Sequence, residues 1–275
     1  CTFQEGKGFE DLDKLDARWK KWAAKNDPNQ SAWRIVPILR ATDEPFDVGY
    51  LGSWTSGEAM GAGMDAWAGG GDLLDDYEAT IDCNRGLAAS VEVNAPDGPP
   101  ENGVVWFSSC TVNEGSTDQE AFEAHSAVSA AMREMGGKSQ SWLFYPSLGF
   151  GDLPFDYYSV VTFKSMSELG EGWEMYYNQG GWQKAAAMNE AAECDSPRVY
   201  SANAMQRWQY PRSQATSPRS KAISNASAIV TSLSESLTVP WTVGEIITFR
   251  SPPTSALDQV SMKVTISMPF VSKFI

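Results

Sequence analysis

Asp47 and Asp156 each close the same tripeptide, Pro-Phe-Asp, 109 residues apart. A carboxylate in a strand is disfavoured unless it has a partner. On one reading each holds a turn or an arginine such as Arg34 or Arg40. On the other, the two carboxylates face one cavity as a general base or as ligand anchors. Trp33, Trp142, Tyr50 and Tyr157, with Trp54, Tyr145 and Tyr158, supply rings nearby in sequence. Such rings are either core or the walls of a space for a flat apolar ligand with few polar anchors. Trp33, Trp142, Asp47, Asp156, Tyr50 and Tyr157 are therefore the ligand-binding candidates.

Other chemistry is thin. His125 is the one histidine, which excludes a Ser-His-Asp triad and a multi-histidine metal site. It lies three residues from both Phe122 and Val128, as a histidine flanking a core would. No Cys-x-x-Cys or Cys/His cluster marks zinc. Gly61, Gly63, Gly170 and Gly172 fall inside helical patterns, where each costs about 0.5–1 kcal/mol. Close helix–sheet approach explains them; phosphate binding does not, because neither G-K-[ST] nor Rossmann spacing follows. No metal and no cofactor are expected, and no catalytic residue is identified.

The formal charge of −14 argues against a nucleic-acid backbone or an anionic lipid surface as partner. No apolar run approaches 18 residues, so no membrane span is expected. The first 205 residues carry 32 acidic and 14 basic side chains; the last 70 carry 3 and 7, with 13 serines. That shift sets 206–275 apart as a Ser-rich, basic tail outside the main fold. A second boundary is the Pro/Gly-rich stretch 95–103, read as a linker.

What must position the candidates is a repeat. At an offset of 109, Cys1, Thr2, Glu5 and Gly6 fall on Cys110, Thr111, Glu114 and Gly115. Trp33 and Pro37 fall on Trp142 and Pro146, and Ser56 falls on Ser165. A period this long means duplicated domains, 1–94 and 104–205. In each, a strand ("VVWFSSC", 104–110) leads to a helix whose apolar residues recur at helical spacing, as Leu12, Leu15, Trp19 and Trp22 do. Two strands follow, then a helix capped by Ser56 or Ser165, then a last strand. The order β-α-β-β-α-β is the ferredoxin-like split unit, an α+β fold. Both sheet faces carry apolar residues, so the bare faces should press together as a pseudo-dimeric α/β barrel within one chain. A monomer is expected.

Cys1, Cys83, Cys110 and Cys194 place two cysteines in each unit. Strands one and four are antiparallel neighbours in such a unit, so the end of one lies beside the start of the other. That pairs Cys1 with Cys83 and Cys110 with Cys194, and implies an oxidising compartment, periplasmic or extracellular. Cys1 falls where Cys110 ends its strand. This reads as a chain whose upstream residues held the start of that strand and an export signal. A lipidated Cys1 is the alternative, and it leaves Cys83 unpaired.

These features resemble the dimeric α/β-barrel superfamily of antibiotic-biosynthesis-monooxygenase-like, EthD-like and NIPSNAP-like proteins. Cys-Thr-x-x-x-Gly, Pro-Phe-Asp and the Gly-bearing second helix are similar to exported bacterial proteins with tandem units. The resemblance covers roughly residues 1–205. It implies a fold more than a function. Non-catalytic binding of a small apolar or aromatic molecule between the sheets is the first expectation, with a cofactor-independent monooxygenase-like reaction on an aromatic compound as the alternative and haem binding through His125 a distant third.

Overall fold

The computed structural model describes residues 1–40, 46–94, 101–208 and 263–266. Its elements are β1 (Thr2–Phe3), α1 (Phe9–Asn26), β2 (Gln30–Leu39), β3 (Gly49–Trp54), α2 (Gly57–Ala68), α3 (Asp72–Glu78), β4 (Ile81–Asp82), β5 (Leu87–Asn94) and β6 (Gly103–Val112). They continue with α4 (Asp118–Glu134), β7 (Gln140–Leu148), β8 (Tyr157–Phe163), α5 (Met166–Tyr177), α6 (Gly181–Lys184), α7 (Ala186–Ala191), β9 (Ala192–Cys194), β10 (Arg198–Gln206) and β11 (Lys263–Ile266).

The helices form where apolar spacing and caps agree. Leu12, Leu15, Trp19 and Ala23 are buried along one side of α1. Ser56 and Ser165 cap α2 and α5 as expected, accepting from Ala59 N and Glu168 N. Thr117 and Glu120 close a reciprocal capping box on α4.

Nine strands form one antiparallel sheet in the order β10-β2-β3-β11-β5-β7-β8-β6-β9, and β10 also pairs with β6. The sheet curls into a half-barrel, giving a mixed α+β architecture rather than two stacked sheets. Sequence reasoning puts the last strand of each segment beside its own first strand. The structure instead pairs β5 with β7 and β10 with β2, so each segment's last strand joins the other segment, while β10 alone also keeps its β6 partner.

On the sheet face away from the helices, Ile35, Val105, Val160, Tyr200 and Ala202 form one buried cluster. Phe46, Leu51, Phe107, Phe144 and Tyr158 pack on it. Phe107 lies edge-on to Phe144, Tyr158 and Tyr200. Rings from both segments thus fill the face that a single segment leaves bare. On the helix side, Leu12, Trp19, Tyr50, Trp67 and Tyr77 form the largest cluster.

Both expected disulfides are present, Cys1–Cys83 and Cys110–Cys194, with Cα separations of 4.0 Å. That span is slightly below the usual range of about 4.4–6.8 Å. Cys110 and Cys194 are direct cross-strand partners of β6 and β9, a pairing that brings Cα atoms close. No described helix is long and apolar enough to cross a membrane.

Two expectations change. Close approach holds for Gly63, where a Cβ would run into the Asp27 carboxylate and the Trp54 indole. Around Gly61 and Gly170 a Cβ would meet nothing within 4 Å. Nothing in the structure explains those two. The tail, moreover, is not wholly outside the sheet. Gln206 ends β10 and donates to Asp27 O and Gln30 O, while Lys263–Ile266 pairs with β3 and β5. Alternating residues there complete a ladder that two neighbouring edges would otherwise leave open. Pro45 of the first Pro-Phe-Asp, 95–100 of the linker, and 209–262 and 267–275 of the tail lie outside the described residues.

Candidate functional site

The six ligand candidates occupy three kinds of surrounding. Trp33 and Trp142 are buried, in strand register with Ile35 and Phe144 and so on the helix-free face. Tyr50 and Tyr157 are buried on the helix side, in separate clusters. Asp47 and Asp156 stand just before β3 and β8 and bind backbone. Asp47 Oδ2 accepts from Phe3 N at 3.0 Å, and Asp156 Oδ2 accepts from Val112 N at 2.8 Å. Their own amides donate to Cys1 O and Cys110 O, both at 2.9 Å. Each carboxylate thus clamps the strand next to a disulfide. Arg34 and Arg40 are engaged elsewhere, Arg40 donating to Phe46 O. Asp47→Ala and Asp156→Ala should each cost about 1–2 kcal/mol, the worth of a charged hydrogen bond to backbone in a partly open place. Urea unfolding measures this, and a loss under about 0.5 kcal/mol would show the clamp to be idle.

A denser polar group surrounds Asp16 on α1. Asp16 Oδ1 accepts from Tyr50 OH at 2.9 Å and Tyr77 OH at 2.8 Å; Oδ2 accepts from Arg34 Nη1 at 2.7 Å. The same Nη1 donates to Asp13 Oδ1 at 2.7 Å. Asp16 is 5% exposed. Burial raises its pKa above the ordinary carboxylate value, while Tyr77, Arg34 and Tyr50 pull it back. Burial and the Asp16 charge push both tyrosines above their ordinary range. Arg34, in spite of burial, is held above its ordinary value by Asp13 and Asp16. The signal was in the sequence: Asp16 sits one turn after Leu12 and three residues before Trp19, a charge inside an apolar stripe. Such a charge needs partners.

This group forms the wall of an open cleft of ≈ 290 Å³ between α1, β2 and β10, lined by Asp13, Asp16, Lys20, Arg34, Asn203 and Met205. Behind it a cavity of ≈ 20 Å³, enough for about one water, lies against Trp19, Tyr50, Trp67 and Tyr77. Met205 lines both spaces. Arg34 Nη1 is taken by the two aspartates, and its other nitrogens make no hydrogen bond to a described residue. They form a planar fork suited to a carboxylate.

His125 lies on α4, 9% exposed, with Nε2 2.9 Å from Tyr157 OH. Tyr157 also stacks near Tyr145, and the Cys110–Cys194 disulfide belongs to the same cluster. Burial lowers the His125 pKa from 6.5 to about 4. Between those values the unfolded chain binds a proton that the folded chain does not. Stability therefore falls as pH drops from 6.5 to 4, by about 3 kcal/mol from this group. His125→Phe should flatten that part of a pH–stability profile. A profile unchanged by the substitution would refute it.

No family model and no curated protein matches the chain. Among solved structures it is similar to a heme-binding protein from Thermus thermophilus, with 13% identity over 70% of this chain and 79% of that one, and a TM-score of 0.39.

Proposed function

We propose that the chain is an exported, non-catalytic binding protein for a small organic acid with an apolar or aromatic body. It acts as a monomer in the periplasm or outside the cell. The observation that carries this reading is the cleft beside Asp16: an open space with an arginine fork on its wall, Lys20 and Asn203 at its edge, and Met205 leading to an aromatic recess. A carboxylate on Arg34 would leave the body of the ligand against Met205, a side chain that repacks readily. Binding rather than catalysis is favoured because Asp16 already accepts three hydrogen bonds and His125 is engaged with Tyr157. The two disulfides and the lack of a membrane-spanning helix among the described residues are consistent with a location outside the cytoplasm.

The scaffold is read as two tandem ferredoxin-like units forming a pseudo-dimeric α/β barrel. In support, β11 lies antiparallel to β3 and β5 as β6 lies antiparallel to β8 and β10. In strand register Val264 pairs with Trp54 and Val104 with Phe163, and Trp54 and Phe163 stand 109 residues apart.

Native mass spectrometry of protein purified from its source, joined to calorimetric titration with benzoate, tests the reading. An acid that co-purifies, or saturable benzoate binding lost in Lys20→Met/Asn203→Ala, supports it. Both side chains are exposed, so this variant keeps its fold. A co-purifying haem, or no retained molecule and no saturable binding, overturns it. Binding unaffected by the variant would move the site to the ring-filled face near Trp33 and Trp142.

A further inference from the structure

We propose that the Cys110–Cys194 disulfide, once reduced, opens a zinc-class metal site completed by His125. The sulfur atoms of Cys110 and Cys194 and a ring nitrogen of His125 all lie within 4.8 Å of one another. Among the described residues this is the one place where three such donor atoms gather. Tetrahedral zinc with bonds of about 2.3 Å to sulfur and 2.0–2.1 Å to nitrogen needs its donors roughly 3.5–3.8 Å apart. Breaking the S–S bond lets the two sulfurs separate to that spacing, and the imidazole, within 4.8 Å of both, needs to close by about 1 Å at most. The donors are held from three directions. Cys110 lies on β6, Cys194 on the edge strand β9, and His125 on α4 above them. Nε2 lies 2.9 Å from Tyr157 OH, which leaves Nδ1 as the nitrogen offered to the metal and gives the ring the support that metal-binding histidines draw from a neighbour. Cys194 is half-buried at the edge of the sheet, so a reductant reaches the bond from that side. The other disulfide, Cys1–Cys83, gathers no third donor among the described residues.

The chemistry balances with a dithiol as reductant. Two electrons and two protons pass from the dithiol to the protein disulfide, leaving two protein thiols and an oxidised dithiol. Zinc then displaces one proton from each thiol and takes a lone pair from His125, with water in the fourth position. Soft thiolates with one imidazole select zinc or another soft cation over magnesium or calcium.

The full chain is compared before and after reduction by a phosphine, using zinc ions and a chromogenic chelator as competitor. Cys1→Ser/Cys83→Ser removes the other thiols. The expected result is one zinc per chain in the reduced form, none in the oxidised form, and at least tenfold weaker binding in His125→Ala. Cobalt substitution should give thiolate charge-transfer and tetrahedral bands that change in His125→Ala. Because unfolded thiols bind zinc without help from His125, equal affinity in wild type and His125→Ala overturns the proposal. So does the absence of zinc uptake, or loss of the far-UV signal on reduction.

Discussion

Asp16→Ala is expected to lower the free energy of unfolding by about 3–5 kcal/mol, the summed cost of two buried hydroxyls left without an acceptor and an arginine left without its buried partner. The substitution strands the hydroxyls of Tyr50 and Tyr77 and takes from Arg34 its buried partner, leaving that guanidinium only the exposed Asp13. Arg34 cannot shed its proton to escape, and neither buried tyrosine hydroxyl has another acceptor among the described residues. Asp13→Ala is the control. It removes the exposed partner of the same arginine and should cost under about 1 kcal/mol, as surface pairs do. Equal losses in the two variants would mean that the cluster is not what holds α1 to the sheet. Asp16 also sets a pH trend of its own. Its pKa is higher in the folded chain than the ordinary 3.8, so the folded chain holds that proton more tightly. Its contribution to stability therefore declines as pH rises from 3.8 through the raised value.

Replacing Cys110 and Cys194 together by serine should cost roughly 4–5 kcal/mol in the chain-entropy model, because the bond closes a loop of 84 residues. The bond ties β9 to β6 at the edge of the sheet, next to the Asp156 clamp on Val112. Urea unfolding without reductant measures the loss. A change below about 1 kcal/mol would show that packing of Ala121, Leu143 and Tyr157 around the sulfurs suffices. The same variant removes the sulfur ligands of the proposed metal site, so in the Cys1→Ser/Cys83→Ser background it should take up no zinc in any redox state.

Apart from the short α3, α6, α7, β4 and β9, the helices, the strands and both disulfides were legible from residue order alone. Local patterns decide them: the apolar stripe of α1, the caps at Ser56 and Ser165, and cysteines at equivalent places in two similar segments. Partner choice between strands was not legible. The apolar alternation of β5 suits a place beside its own first strand as well as one beside β7, and only the curl of the whole sheet selects the latter. The repeated Pro-Phe-Asp marked two places correctly but not their task. Whether a carboxylate faces a cavity or a backbone amide depends on where the neighbouring strand ends. Asp16, Arg34, Tyr50 and Tyr77 lie up to 61 residues apart, as do Cys110, His125 and Cys194 across 84. Spacing motifs read neighbours along the chain. These groups are neighbours only through packing of a helix on a sheet, because hydrogen bonding and metal ligation act over a few ångströms of space and carry no memory of sequence distance.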